Sequence, residues 1–370
     1  MSETKPRLAF LLSGYGIHRR GAEFFLEHLV AGLRPHFDVT ILSRARDGVV
    51  HIPAVARSNR FTGLLDRCPG IGHGLRFFNL GPLNLEWLTS CLGALPWLLR
   101  NHVDVFVPEG GIWGGLLGRL IRAVKGVPFV DIGYGAFSRW ELASARQRPD
   151  CYVAISRVSA GEIAARVPGL RTLAIPLAVD TNEFTPEGAK ASLDLPHPVV
   201  LYVGALEEVK RVDLAIRAIA EWGKGSLVIV GEGPLQAELE EAGRRLLGEK
   251  RFRRVAIGST GLADVYRAAD VFTSASRSEA FGLVYLEAIA CNRPVVTQDD
   301  AIRREVLGDL GILCDCTDAR AYAAALEQAV TKPTGDRLRQ RAMQFDWSAV
   351  AAEYRRLFAS LIADSASRKT

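Results

Sequence analysis

Apolar residues come in short bursts along this chain, and the stretches between them carry apolar positions at helical spacing. Leu8 to Leu12 reads LAFLL and is closed by Ser13-Gly14. Such a run predicts a buried strand ending in a tight loop. From Gly21 to Leu33 the positions Phe25, Leu29, Val30 and Leu33 share a helical face, and Val39 to Leu42 (VTIL) gives a second strand. Strand, loop, helix, strand is a βαβ unit. The order recurs with strand Val103 to Val107, helix Gly114 to Val124 and strand Phe129 to Ile132. It recurs again with strand Tyr152 to Ile155, helix Val158 to Arg166 and strand Thr172 to Ile175.

Between Pro176 and Pro198 the chain turns rich in Pro, Asp, Asn and Gly and loses its period, which marks a junction. A second series follows: strands at Val199 to Val203, Leu227 to Val230, Val255 to Ile257, Val271 to Ser274 and Pro294 to Thr297. Helices are expected over Asp213 to Trp222 and Leu235 to Leu247, and a long amphipathic helix over Trp347 to Ile362. The pattern predicts an α/β protein with two Rossmann-like domains facing across a cleft. Their expected bounds are residues 1–180 and 190–345, followed by a C-terminal segment, 346–370. Ligands are expected at the carboxyl ends of the parallel strands.

Composition narrows the class. Of the 370 residues, 48% are apolar and 24% charged, as in ordinary globular proteins. The opening MSETKPR has no apolar signal core, and the longest apolar run, Leu88 to Leu99, is too short to span a bilayer, so a cytoplasmic location is expected. Cys314 and Cys316 form C-x-C rather than a zinc-type C-x-x-C, and no metal role is assigned to them. The first hundred residues hold twelve Lys/Arg against seven Asp/Glu, which accounts for a surplus as large as the whole chain's +5. A basic region can meet nucleic acid, an anionic membrane or a phosphate-bearing substrate. No aromatics interleave with it and no nucleic-acid motif is present, which argues against nucleic acid. Peripheral association with the anionic inner face of a membrane stays open.

The candidate chemistry lies in Ser278 to Ala288, SEAFGLVYLEA. Glu279 follows a strand, Phe281-Gly282 opens a helix, and Glu287 falls about two turns along it. The N–H groups of Phe281, Gly282 and Leu283 are donors of a helix N-terminus, suited to a phosphate or a sugar hydroxyl. Gly282 lets a ligand approach the backbone. Near the N-terminus, Gly14-Tyr15-Gly16 follows the first strand, but position 19 is Arg, so it fails as a dinucleotide fingerprint. A plain tight turn reads it equally well.

The stretch SEAFGLVYLEAIACNRPVV resembles the E-x7-E segment of the family 4 retaining glycosyltransferases, which have the two-domain GT-B architecture. The resemblance extends to Tyr202 to Ala220 (YVGALEEVKRVDLAIRAIA), which looks like the family's strand, phosphate loop and helix. It includes Val230 to Pro234 (VGEGP), and Ala256 to Asp270, which looks like the nucleobase loop, with Gly258 on the donor side. Phe345-Asp346-Trp347 opens what looks like the family's final helix, packed back on the N-terminal domain. The resemblance implies that Glu287 takes the ribose hydroxyls of a nucleoside diphosphate sugar and that Glu279 touches the transferred sugar. It also implies that the Phe281, Gly282 and Leu283 amides hold hydroxyls or phosphate, and that Lys210 neutralises the leaving diphosphate. Gly14 and Gly16 stand where the family approaches the diphosphate, and Arg19-Arg20-Gly21-Ala22-Glu23 resembles its acceptor-side loop.

Two departures accompany this. Gly204-Ala205-Leu206 replaces a usual Gly-Arg-Leu, so one phosphate cation is missing, with Arg211 or Arg277 as candidate replacements. Gly133-Tyr134-Gly135 replaces a His-Gly step, leaving Tyr134 as the acceptor-side hydrogen-bonding group. The implied activity is transfer of a sugar, with retention, from a nucleoside diphosphate sugar (a co-substrate, with no cofactor) to an acceptor hydroxyl. No two aspartates are separated by one residue, so the Asp-x-Asp metal clamp of the other common glycosyltransferase architecture is absent and no divalent metal is expected. The alternatives are a non-catalytic relative that binds a nucleotide sugar, and a glycan phosphorylase of the same architecture.

Overall fold

Most of the short apolar bursts form parallel strands, and their hydrophobicity on both faces is explained by helices packed on either side. The computed structural model describes residues 5–18, 21–55, 82–108, 110–135, 137–256, 261–331 and 335–368. The chain divides into two units. One comprises Met1–Ile175 together with Val350–Thr370, the other Pro176–Ala349.

In the first unit, strands β1 (Arg7–Leu11), β2 (Asp38–Ser43), β3 (Val50–His51) and β4 (Val105–Val107) form a sheet in the order β3-β2-β1-β4. Strands β5 (Val130–Gly133), β6 (Cys151–Ala154) and β7 (Thr172–Ala174) form a second ladder, joined to β4 through a parallel bridge between Phe106 and Phe129. Leu8 stands opposite both Val39 and Val105, so β1 is central. Helices α1 (Gly21–Leu33), α2 (Pro82–Arg100), α3 (Ile112–Lys125), α4 (Arg139–Ala145) and α5 (Arg157–Arg166) supply the crossovers. On α1, Phe25, Leu26, Leu29, Val30 and Leu33 are buried at the spacing the sequence shows. The apolar run at Leu88 to Leu99 lies inside α2, and no helix among the described residues is long and apolar enough to cross a membrane.

In the second unit, β8 (Val199–Val203), β9 (Ser226–Val230), β10 (Phe252–Val255), β11 (Val271–Ser274), β12 (Val295–Gln298) and β13 (Ile312–Cys314) run parallel in the order β10-β9-β8-β11-β12-β13. The helices are α6 (Val212–Trp222), α7 (Gln236–Leu247), α8 (Leu262–Ala268), α9 (Leu283–Ala290), α10 (Ala301–Leu307), α11 (Ala319–Thr331) and α12 (Arg337–Met343). Residues 176–198 contain no strand or helix beyond a bridge from Val179 to Asp346.

The largest shift is in β10, and β3 and β13 are not expected from the sequence. The sequence points to Val255 to Ile257, but the strand is Phe252–Val255 and takes in Arg253 and Arg254, while Ile257 lies outside the described residues. Both arginines are neutralised: Arg254 by Glu240, Arg253 by Asp194. β10 is an edge strand, where charged side chains are tolerated.

The last helix, α13 (Trp347–Ser367), returns the chain to the first unit. Phe358 meets Phe10 edge-on at 6.0 Å and Phe37 at 6.2 Å, and Tyr354 packs on Phe25. Gly32 lets Ala351 approach α1, since a Cβ at 32 would stand 2.7 Å from the alanine methyl. In each unit the strand order reverses once, between β1 and β4 and between β8 and β11. Open parallel sheets bind ligands outside the carboxyl ends at such a reversal.

Candidate functional site

At the β8–β11 reversal, two loops are laced together. β8 leads through Gly204 into a short 3-10 turn, Glu208–Lys210, and then Arg211, whose φ of 49° places it in the left-handed region. β11 leads through residues 275–282 into α9. The Arg277 N–H donates to the Val209 carbonyl at 2.8 Å, and Arg211 Nε donates to the Ala275 carbonyl at 2.7 Å. Lys210 Nζ then reaches Glu279 Oε1 at 2.7 Å. The backbone and Arg211 thus hold two facing loops, and the ammonium–carboxylate pair lies across them. Both side chains are partly buried, so the pair is less screened than one on the open surface.

The first loop is braced by glycine. A Cβ on Gly231, after β9, would overlap the Gly204 carbonyl, and one on Gly233 would overlap the backbone of Leu206. The turns after β8 and β9 therefore touch backbone to backbone, fixed by Leu206 N–H to the Glu232 carbonyl at 2.9 Å. The second loop is braced by Arg303, which is fully buried. It donates to the Ser276 carbonyl at 2.6 Å and to the Tyr285 hydroxyl at 2.9 Å, and pairs with Asp300.

Gly282 opens α9 with a φ of 91°, and a Cβ there would strike the Tyr285 ring. Phe281 is buried against Phe345 at 6.0 Å, so its side chain anchors the loop while its amide stays at the helix start. Leu283 begins the helix, whose first N–H groups have no partner within it. Glu287 lies about one turn into the helix, on the same face as Leu283, rather than the two turns expected. Its Oε2 accepts from the Tyr266 hydroxyl at 2.8 Å. Burial pushes its carboxyl up to about 7, the Tyr266 hydrogen bond pulls the other way, and Glu183 adds to the rise.

The structure brings Lys210, Arg211, Glu279, Phe281, Gly282 and Leu283 together on these two loops, with Glu287 behind them on α9. Of the two arginines that could replace the missing cation, Arg211 is engaged by Ala275 and by Gln298 Oε1 at 3.1 Å, whereas Arg277 is exposed. Gly258 and Arg19 lie outside the described residues.

In the first unit, Gly14 and Gly16 form a tight turn after β1, with the His18 N–H donating to the Gly14 carbonyl at 2.9 Å. A Cβ on Gly14 would crowd the Glu23 carboxylate, so a larger residue there would push that side chain aside. Gly16 has a φ of 75°. Tyr134 follows β5 and packs edge-on against Phe25 at 5.5 Å. It helps to line a cavity of about 330 Å³ at the carboxyl ends of β1, β4 and β5. Asp131, Glu141, Trp87 and Trp140 also line it, and sequence reading missed all four. Asp131 carried one signal, a carboxylate inside the apolar strand FVDIG. Glu141 accepts from the Tyr152 hydroxyl and from the Gly135 N–H at 3.2 Å, an arrangement that nothing local in the sequence announces.

Three comparisons bear on these sites. Residues 185–345 match the model of the family described as glycosyl transferases group 1. Among curated proteins, the D-inositol 3-phosphate glycosyltransferase of Kineococcus radiotolerans is 32% identical over 234 residues, 54% of this chain and 54% of that protein. The chain spans about half the length of the curated relatives it matches. Among solved structures, sucrose-phosphate synthase from Thermosynechococcus elongatus superposes with a TM-score of 0.74 at 21% identity, covering 97% of this chain and all of that one. Anabaena Alr3699/HepE, solved in complex with UDP, gives 0.70 at 18%, covering 96% of this chain and all of that one. The fold is GT-B, with two Rossmann-like α/β halves.

Proposed function

We propose that the protein is a retaining glycosyltransferase that moves a sugar from a nucleoside diphosphate sugar to an acceptor hydroxyl. The observation that carries this reading is the Lys210–Glu279 pair at the β8–β11 reversal, inside the segment that matches the family model. Lys210 and the first N–H groups of α9 face the charge that builds on the leaving diphosphate. Glu287 takes the ribose hydroxyls, its carboxylate being an acceptor for vicinal donors. Glu279 contacts the transferred sugar. The leaving phosphate accepts the acceptor's proton on the face it departs from, so configuration is kept without a protein base. A double displacement through Glu279 is the rival route, and the Lys210 pairing weighs against it, since an ammonium held at 2.7 Å dampens a carboxylate nucleophile.

The acceptor binds in the first unit, whose cavity lies at the corresponding β1–β4 reversal. In this reading Lys210 and α9 carry the diphosphate charge without a divalent ion, and turnover persists in EDTA. The neighbouring helices α2 and α3 expose Leu92, Leu99, Leu116, Leu120 and Val124, with Arg100 and Arg119 also at the surface. Apolar faces with basic neighbours suit peripheral contact with an anionic bilayer.

Incubating the purified chain with UDP-, GDP-, ADP- and dTDP-sugars, alone and with sugar acceptors, tests the reading. Release of the nucleoside diphosphate and a product with the donor's anomeric configuration are expected. Tight donor binding without turnover would indicate a non-catalytic binder. A product of inverted configuration would overturn retention.

A further inference from the structure

In the first unit's cavity, the charged groups among the described lining residues are all acidic. Its described lining residues include Glu23, Asp131 and Glu141 but no Lys, Arg or His. The rest of the wall is largely apolar, with Trp87 and Trp140 as its flattest surfaces. At about 330 Å³ it falls within the range of small-molecule sites.

The three carboxylates differ in how well they are satisfied. Asp131 accepts from the Ser144 hydroxyl, and Glu141 from Tyr152 and Gly135. Glu23 is 8% exposed, and its Oε2 has no hydrogen-bond partner among the described residues. Buried polar atoms are rarely left so, and an unpaired one is a place for a ligand's donor. Burial pushes the Asp131 carboxyl up to about 7, helped by the nearby Glu141. The cavity already resists negative charge of its own.

We infer that this cavity holds an uncharged, hydroxyl-rich ring of the acceptor and rejects a phosphorylated one. The inference rests on the glycosyltransferase reading for the word acceptor, but the selectivity follows from the cavity alone. A ring hydroxyl donates to the orphan oxygen of Glu23, others reach Asp131 and Glu141, and the ring's C–H face lies on a tryptophan. A phosphate inside would meet the acidic groups of Glu23, Asp131 and Glu141, with no Lys, Arg or His among the described lining residues to offset its charge, which is discrimination by repulsion.

The test is ligand-observed NMR and calorimetry on the full chain with two matched pairs: myo-inositol with its 3-phosphate, and glucose with its 6-phosphate. The unphosphorylated member of at least one pair should bind, at millimolar Kd, and at least about tenfold more tightly than its phosphate. Glu23→Gln and Trp87→Ala should each weaken that binding severalfold while the melting temperature holds. Equal or tighter binding of the phosphates, or no binding of either neutral ring up to about 50 mM, would overturn the inference. Nucleotide-sugar binding, read by thermal shift on the same sample, separates the two readings. Neutral-ring binding without any nucleotide binding keeps this inference and sinks the glycosyltransferase. Nucleotide binding with a preference for phosphorylated rings does the reverse.

Discussion

Lys210 and Glu279, 69 residues apart in sequence, meet at 2.7 Å where two loops leave adjacent parallel strands. The pair holds a cation at the reversal of the strand order and keeps it pointed across the loop mouth. A donor diphosphate arriving there would compete with Glu279 for the same ammonium.

Replacing Lys210 tests that role. An electrostatic donor that acts on the leaving group typically supplies about 3–4 kcal/mol, or roughly 10²–10³ in rate. Lys210→Ala should therefore lower kcat at saturating donor by at least about a hundredfold. A value within about threefold of wild type would show that the diphosphate lies elsewhere.

If Glu287 holds the ribose as proposed, its carboxyl, pushed up to about 7, should make donor binding pH-dependent. Only the ionised form offers both oxygens to ribose hydroxyls. Affinity for a nucleotide sugar should hold above pH 7 and fall below it, approaching tenfold per pH unit. Glu287→Gln should bind weakly and show a flat profile. Calorimetry between about pH 5.5 and 8.5 decides, and a flat wild-type curve would remove Glu287 from the site.

Gly282→Ala strains the start of α9 twice, through its φ of 91° and through overlap with the Tyr285 ring. Left-handed strain alone costs about 1–3 kcal/mol, so the melting temperature should fall by several degrees. Nucleotide-sugar binding should weaken with it. An unchanged melting curve would mean that the loop adapts freely.

Asp131 has a stability signature of defined sign. Its folded-state pKa of about 7 exceeds its ordinary 3.8, so the folded chain binds the proton more tightly. The resulting stabilisation is full below about pH 4 and is lost as pH rises through 7. The upper limit is about 4 kcal/mol, at 1.36 kcal/mol per unit. Asp131→Asn lacks this dependence. Urea unfolding should show the variant gaining on wild type between pH 5 and pH 8, and a constant difference would mean that Asp131 is solvated.

Much of the fold was legible because parallel strands buried on both faces are mostly apolar, as VVLYV and SLVIV are. The strand at Phe252–Val255 was shifted because its arginines are neutralised by Glu240 and Asp194, which lie elsewhere in the chain. Glu279, Glu287 and Lys210 stood out by motif. The Lys210–Glu279 contact did not, since only the β8–β11 pairing brings those loops together. The carboxylate cavity was harder still: Glu23, Asp131 and Glu141 come from three different elements, and nothing local in the sequence ties the Gly14 turn to the Glu23 side chain beside it.

The return of α13 to the first unit has a consequence for biosynthesis. Phe10, Phe25 and Phe37 emerge from the ribosome early, but Tyr354 and Phe358, the rings that cover them, are translated only after the whole second unit. The first unit thus cannot complete its aromatic packing until the second unit has been translated. Until then it displays a row of aromatic rings to whatever chaperone or neighbouring chain is near.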